Sequence, residues 1–400
     1  VDVVSEVLEM DSEIDGGADL TESRLTRRGS VDRFRLPDTL PLPLVQVVAD
    51  RLTYSVEGIG GIRIDTEPPE LVVTHEGGRS TEKLAELVGE LVDESMRTRL
   101  RGSRVIRRTG PDDPRQVPDH PRPRRVDPDD AATARSVLHR AFDLMFLDVG
   151  REFAAAERRY PALIELEVMD RCRYIALFPQ NAYLVDEFPH QRDLLGRMRD
   201  GTAHPEQLRR PSRFMLNPAL CFHVYAEFQG NRLDGTTVLT TTGECFRHEA
   251  PWRLDAFRLP SFTMREIPFL GPAADVDLLR DSLLERVWEL FVGLGFQGRV
   301  ETATDPFYYS EDSAIRQHQL LANVKYELVA DRPGGGTAAI ASFNNVGDSL
   351  CRQFEVVDPQ GRPAHSGCAA FGIDRWAELT LEHHGWQRER WPALLRHYCR

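Results

Sequence analysis

Six prolines interrupt the 21 residues from 110 to 130, in the run GPDDPRQVPDHPRPRRVDPDD. Each proline removes a backbone donor and disfavours the helical region for the residue before it. Such a segment holds neither a helix nor a central strand, so it reads as a linker between two parts of the chain that fold separately. The 400-residue chain is thereby divided into an acidic, flexible tail over 1–35, a small accessory α+β unit over 36–109, the linker over 110–130, and a main domain over 131–400.

Hydrophobic periodicity fills in the elements. Before the linker it predicts a helix near 43–51, an alternating stretch over 62–74, an amphipathic helix over 80–99 and a short strand over 103–106. After the linker, a helical pattern runs over 130–159. Strands are then expected at 163–168, 222–228, 237–242, 262–268, 324–329 and 338–343, interrupted by a helix over 275–294. A last helix, over 372–381, comes after a strand-like approach. Strands that succeed one another without strict helical alternation favour an antiparallel sheet with packed helices, hence an α+β fold.

Charge and composition exclude some functions. The formal net charge of −13 repels phosphodiester backbones and counts against general nucleic-acid binding. No apolar run approaches the roughly 20 residues of a membrane span, and the acidic start does not resemble a secretion signal, so a soluble, cytoplasmic protein is expected. Only Lys83 and Lys325 are lysines among 50 basic residues, which singles out Lys325. The six cysteines are scattered, without CxxC or HExxH, and read as reduced thiols or metal ligands rather than a disulfide framework.

Two local patterns carry chemistry. Phe246-Arg247-His248-Glu249, with Ser261-Phe262-Thr263-Met264-Arg265-Glu266 further along, sets a guanidinium, carboxylates and an aromatic ring on neighbouring strands. A nucleotide uses that set for phosphate charge, for the adenine amino group and for the ring face. In Gly372-Ile373-Asp374-Arg375-Trp376, a glycine at a strand-to-helix junction puts Arg375 in the first helical turn, where it can hold a terminal phosphate.

The two patterns together resemble motifs 2 and 3 of class II aminoacyl-tRNA synthetases. With NPALC (217–221), FTMREIPFLG (262–271), DPFYY (305–309), KYEL (325–328), ASFNNVGD (341–348) and HSGCAAFGIDRW (365–376), the chain resembles the amino acid:[carrier protein] ligases, truncated relatives of the methanogen-type seryl-tRNA synthetases. The resemblance runs from about Arg159 to Pro392 and implies an antiparallel sheet flanked by helices.

It also implies a catalytic zinc held by Cys221, Glu266 and Cys368, with the fourth position open for the amino group of a substrate. By the same resemblance, ATP is bound by Arg247 at the α-phosphate, Arg375 at the γ-phosphate, and Glu249 and Phe262 at adenine. Arg247 and Arg375 are thus the expected catalytic residues, and Mg2+ the expected phosphate counter-ion. Ala339-Ile340-Ala341 precedes Ser342 where seryl-tRNA synthetases carry an acidic magnesium ligand, which leaves Glu327 for that role. Lys325, Ser342 and Asn344 are expected to border the pocket of a small amino acid. The other four cysteines are read as buried, and His248, His365, His383 and His384 as surface or hydrogen-bonding residues.

The implied acceptor is the phosphopantetheine thiol of a carrier protein. The arginine-rich stretch 190–213, read as helical, is the expected docking surface for an acidic carrier. No long basic coiled-coil hairpin precedes the core, so tRNA is not expected, and a homodimer is. A tRNA-charging enzyme and a non-catalytic synthetase paralogue remain as alternatives. No proline-bearing strand of the motif 1 kind stands out over 163–169.

Overall fold

The computed structural model describes residues 30–76, 80–97, 103–110, 128–303 and 324–399. Residues 1–29 of the expected tail, 111–127 of the expected linker and the DPFYY run lie outside the described residues.

The chain forms two compact units, Val1–Val92 and Asp93–Arg400. In the first, β1 (Ser30–Arg35), α1 (Leu42–Ser55), β2 (Ile59–Thr66), β3 (Pro69–His75) and α2 (Thr81–Arg97) build an antiparallel sheet of order β1-β3-β2 with two helices. Helix α1 opens with prolines at its first turn, where a missing donor costs nothing, and buries Leu44, Val45, Val48 and Leu52 along one stripe.

The second unit begins with β4 (Val105–Arg108), α3 (Pro128–Glu152), β5 (Ala156–Arg158), β6 (Leu163–Glu165), α4 (Leu166–Arg171), α5 (Tyr174–Leu177), β7 (Leu184–Glu187), α6 (Arg192–Arg199), α7 (Pro205–Leu208), β8 (Arg210–Leu216) and α8 (Cys221–Glu227). It continues with β9 (Thr237–Phe246), β10 (Ser261–Gly271), α9 (Ala273–Gly293), β11 (Gly298–Thr302), β12 (Lys325–Asp331), β13 (Thr337–Gly347), α10 (Ser349–Gln353), β14 (His365–Gly372), α11 (Ile373–His384) and α12 (Ala393–Arg396). Its main sheet has eight strands in the order β4-β11-β12-β13-β14-β10-β9-β5, antiparallel except for the β5–β9 pair. A three-stranded sheet, β6-β8-β7, stands beside it.

Helices α3, α9 and α11 cover one face of the main sheet. Phe142, Phe146, Phe291, Phe371 and Trp376 interlock there, with the Phe146 and Phe371 rings stacked at 4.3 Å. The Trp376 indole donates to the Ile340 carbonyl at 3.0 Å. Arg265, only 1% exposed, crosses this layer to Asp143 (2.7 Å) and Thr240 (3.0 Å), fastening α3 to the sheet through a compensated charge. With one face sealed in this way, functional groups can gather only on the other.

Several elements differ from the sequence reading. The stretch 222–228, expected as a strand, lies in helix α8, because the Glu266 carboxylate accepts the backbone N–H groups of Leu220 and Cys221 at its start, both at 2.9 Å. The strand expected over 163–168 stops at Glu165 and gives way to α4. The stretch 190–213 is not one helical segment: α6 and α7 are short, and the chain enters β8 at Arg210.

The accessory unit also has other bounds than 36–109. Strand β1 recruits the end of the expected tail, and the strand expected over 103–106 is found as β4, paired with β11 at the edge of the main sheet. A four-residue strand with only Val105 and Ile106 apolar carries no mark of which sheet it will join. The parallel strand β5 ends three residues before Pro161, so a strand with a proline close behind it lies earlier than the stretch 163–169.

Candidate metal and nucleotide site

Strand pairing decides which side chains share the open face. Antiparallel partners point the same way, and along each strand the direction alternates. Glu266 on β10 faces Thr241 on β9 and Ala370 on β14; Ala370 faces Ser342 on β13, and Ser342 faces Glu327 on β12. The next row reads Pro268, Cys368, Asn344, Lys325. Phe262 lies four residues before Glu266 on the same face, opposite Cys245.

The three expected metal ligands converge. The ligand atoms of Cys221, Glu266 and Cys368 all lie within 4.8 Å of one another, and Cys368 Sγ is 3.5 Å from Glu266 Oε2. Metal–ligand bonds of about 2.0–2.3 Å in a tetrahedron place donors about 3.5–3.8 Å apart, so this cluster fits zinc with little adjustment. Both Glu266 oxygens accept backbone N–H groups, which orient the carboxylate while each keeps a second lone pair. The Cys368 thiol is pushed well above its ordinary range by its hydrogen bond with Cys221, by burial and by the Glu266 carboxylate. Cys221 is also raised: its hydrogen bond with Cys368 lowers it, but burial and Glu266 outweigh that.

The segment 217–221 serves both halves of the site. It delivers Cys221, and its Pro218 carbonyl accepts Arg247 Nε and Nη2, both at 3.3 Å. The Arg247 guanidinium lies 5.2 Å from the centroid of the Phe262 ring. Arg375, in the first turn of α11, donates Nε to the Phe257 carbonyl at 2.6 Å and Nη1 to the Ala339 carbonyl at 2.7 Å. Burial, with Arg258 and Arg247 nearby, lowers Arg375 to about 10, partly offset by Glu327 and Glu249. Three arginines gathered in this way can meet the charge of a polyanionic ligand. Ala339 carries no carboxylate here; its carbonyl is taken by Arg375.

Lys325 pairs with Glu327 at 3.3 Å. The Asn344 amide donates to Ser342 Oγ at 3.3 Å and to the Cys368 carbonyl at 3.4 Å, so this row is physically joined to a ligand strand. Phe262, Glu266, Cys368, Ser342, Asn344 and Lys325 thus share one face of the main sheet, while Cys221 starts α8, Arg247 and Glu249 lie in the excursion after β9, and Arg375 lies in the first turn of α11. Cys172, Cys245, Cys351 and Cys399 are buried. His383 and His384 bond the carbonyls of Asp331 (3.3 Å) and Leu294 (3.1 Å).

Two residues at the site were given no role in the sequence reading. Arg258 Nη1 meets Glu249 Oε2 at 2.9 Å, adding a third arginine to the cluster. Asp374 accepts the Thr263 N–H at 2.6 Å and lies 3.2 Å from His139 Nε2, tying the start of α11 to β10 and α3. Their spacing to the motif residues gave the only signal, and it is not selective. The arginines expected to form a docking surface are largely balanced: Arg209 pairs with Asp186 (2.9 Å), Arg210 with Glu187 (2.7 Å) and Arg213 with Glu165 (3.5 Å).

No family model matches the chain. It is 35% identical to amino acid--[acyl-carrier-protein] ligase 1 of Bradyrhizobium diazoefficiens over 191 residues, which are 46% of this chain and 57% of that protein. It is 26% identical to the type-2 serine--tRNA ligase of Methanopyrus kandleri over 277 residues, 62% of this chain and 52% of the relative. The chain thus spans little more than half the length of the curated relatives it matches. Among solved structures, M. kandleri seryl-tRNA synthetase in complex with A. aeolicus tRNASec covers 92% of this chain and 76% of its own, with TM-score 0.62 and 20% identity. Seryl-tRNA synthetase from Pyrococcus horikoshii complexed with ATP covers 80% and 81%, with TM-score 0.54 and 16% identity. The fold is that of the class II aminoacyl-tRNA synthetases, and the chain is a relative of the carrier-protein ligases and the type-2 seryl-tRNA ligases.

Proposed function

We propose that this chain activates a small amino acid with ATP on a zinc site and passes it to the phosphopantetheine thiol of a carrier protein. The observation that carries the reading is the convergence of Cys221, Glu266 and Cys368 on the sheet face whose rim holds Arg247, Arg258 and Arg375. Cys221, Glu266 and Cys368 would hold the zinc, which would supply a Lewis acid toward the neutral α-amino group of the substrate. Among the described residues no other group of three or more metal-ligating side chains gathers.

The remaining steps fall to the chain's own residues. A carboxylate oxygen of the amino acid attacks the α-phosphorus of ATP, and the bond to pyrophosphate breaks. Arg247 neutralises charge on the α-phosphate, while Arg375 and Arg258 bind the outer phosphates. Phe262 offers a ring face and Glu249 an acceptor to adenine. No protein nucleophile is needed, because positioning and fixed positive charge lower the barrier. Glu327 is the candidate ligand for the magnesium that accompanies the triphosphate. Lys325 and Asn344, in the row of Cys368, and Ser342, in the row of Glu266, bound the space for the amino-acid side chain. In the second step the carrier thiol attacks the aminoacyl carbonyl and AMP leaves.

Amino-acid-dependent exchange of pyrophosphate into ATP tests the first step, across glycine, alanine, serine and diamino acids, with zinc measured on the same sample. Exchange by zinc-loaded protein supports activation and names the substrate; none with any amino acid overturns it. A holo carrier protein offered beside tRNA then identifies the acceptor, and aminoacylation of tRNA alone would replace the carrier reading with the synthetase one.

A further inference from the structure

The excursion between β9 and β10, residues 247–260, carries Arg247, Glu249 and Arg258, yet little of it is regular structure. What fixes it is Phe257. Its ring is buried to 6% exposure in the main core, its N–H is held by Asp255 Oδ1 at 2.9 Å, and its carbonyl accepts Arg375 Nε at 2.6 Å. Asp255 and Arg258 exchange backbone hydrogen bonds at 3.2 Å, closing the tip.

Arg332 lies over that ring, its guanidinium carbon 4.1 Å from the centroid. The same guanidinium makes a two-pronged contact with Glu382 on α11, Nε to Oε2 at 3.2 Å and Nη2 to Oε1 at 2.7 Å, and approaches Asp255 at 3.7 Å. Its backbone is set by the turn into β13: Arg332 N–H reaches the Gly336 carbonyl at 3.0 Å, and Gly335 and Gly336 take φ of +97° and +80°. One side chain thus bridges the β12–β13 turn, the tip of the excursion and the helix that bears Arg375.

We propose that Arg332 is a positioning residue for nucleotide binding: by clamping Phe257 against α11 it holds the Phe257 carbonyl that aims Arg375 and keeps Arg258 opposite Glu249. It touches no reacting atom. The inference rests on the nucleotide reading of the arginine cluster. Lysine at this position keeps the charge but loses both the fork and the flat face over the ring, so it repairs only part of the clamp.

The test compares wild type with Arg332→Met, Arg332→Lys and Glu382→Gln, all as full-length, zinc-loaded protein. Hydrogen–deuterium exchange is read over 247–260 and over α9, and ATP affinity is read by calorimetric titration. The expected result is exchange about tenfold faster over 247–260 in Arg332→Met, unchanged over α9, with ATP affinity about five- to tenfold weaker and zinc content unaltered. Arg332→Lys and Glu382→Gln should fall between, and they carry the test if the methionine variant does not fold. Unchanged ATP affinity in folded variants overturns the role of Arg332 alone. A wild type that binds no ATP overturns the nucleotide reading and this inference together.

Discussion

The Cys221 backbone N–H donates to Glu266 Oε2 at 2.9 Å, so the position of one expected metal ligand is set by another, 45 residues further along the chain. The same oxygen lies 3.5 Å from Cys368 Sγ. Glu266 therefore starts helix α8 and joins the ligand cluster at once.

Two substitutions separate those roles. Cys221→Ser removes a ligand but leaves the hydrogen bonds to Glu266, and should weaken zinc binding on the order of 100-fold or more while the protein stays folded. Glu266→Gln should lose zinc and also lower the melting temperature, since a neutral amide answers the helix start less well than a carboxylate. Metal analysis after gel filtration, paired with thermal melts, gives both readouts; wild-type zinc content in Cys221→Ser would rule out the site.

Arg375 donates to two backbone carbonyls, neither of which carries a negative charge, so these bonds orient its guanidinium without neutralising it. Arg375→Ala should reduce pyrophosphate exchange by about 10²–10³ through kcat. Arg258→Ala, which removes the partner of Glu249 at 2.9 Å, should act mainly on the KM for ATP. Steady-state exchange kinetics with normal zinc content decide the matter, and a variant of Arg375 with wild-type kcat would remove it from the mechanism.

Gly367 is required by packing. A Cβ there would sit 2.3 Å from the Phe269 ring and 2.5 Å from the Asn344 carbonyl oxygen, contacts that β10 and β13 cannot relieve without moving. Gly367→Ala should destabilise the protein by about 1–3 kcal/mol in urea unfolding. Gly334→Ala, which meets nothing within 4 Å, serves as the control, and equal stability of the two variants would contradict the packing.

His384 is buried, bonded to the Leu294 carbonyl, and pulled down to about 4 by burial. Between about 4 and the ordinary value near 6.5 the unfolded chain takes up a proton that the folded one refuses, so stability is lost as pH falls through this window. The contribution is at most about 3 kcal/mol. His223, also lowered to about 4 by burial, adds in the same direction. Melting curves at pH 5 and 7 should show a smaller drop for His384→Gln than for wild type; an identical drop would mean that His384 accepts its proton when folded.

Arg209 and Arg210 are paired, but both remain on the surface. If the carrier docks there, reversing both to glutamate should raise the KM for the carrier about tenfold and leave pyrophosphate exchange as it was. Unchanged carrier kinetics would move the docking surface elsewhere.

The amino-acid sequence by itself determined whatever is written locally or in motif order. Strand-like runs without helical alternation specified an antiparallel sheet with helices, and β9, β10, β12, β13 and α9 stand where periodicity put them, because a buried face imposes its period on the residues that form it. Cys221, Glu266, Cys368, Arg247 and Arg375 were nameable because the order of their motifs resembles that of a known family. Tertiary structure decided the rest. An alternating stretch at 222–228 became helix α8 because a carboxylate on a distant strand accepts its first N–H groups, and the short stretch at 105–108 joined the main sheet because an open edge was there to pair with it. Arg258, Asp374 and Arg332 gained their places from partners 9, 111 and 50 positions away, at Glu249, Thr263 and Glu382. Hydrogen bonds and ion pairs depend on distance in space, and a sequence records that distance only where neighbours in the chain are also neighbours in the fold.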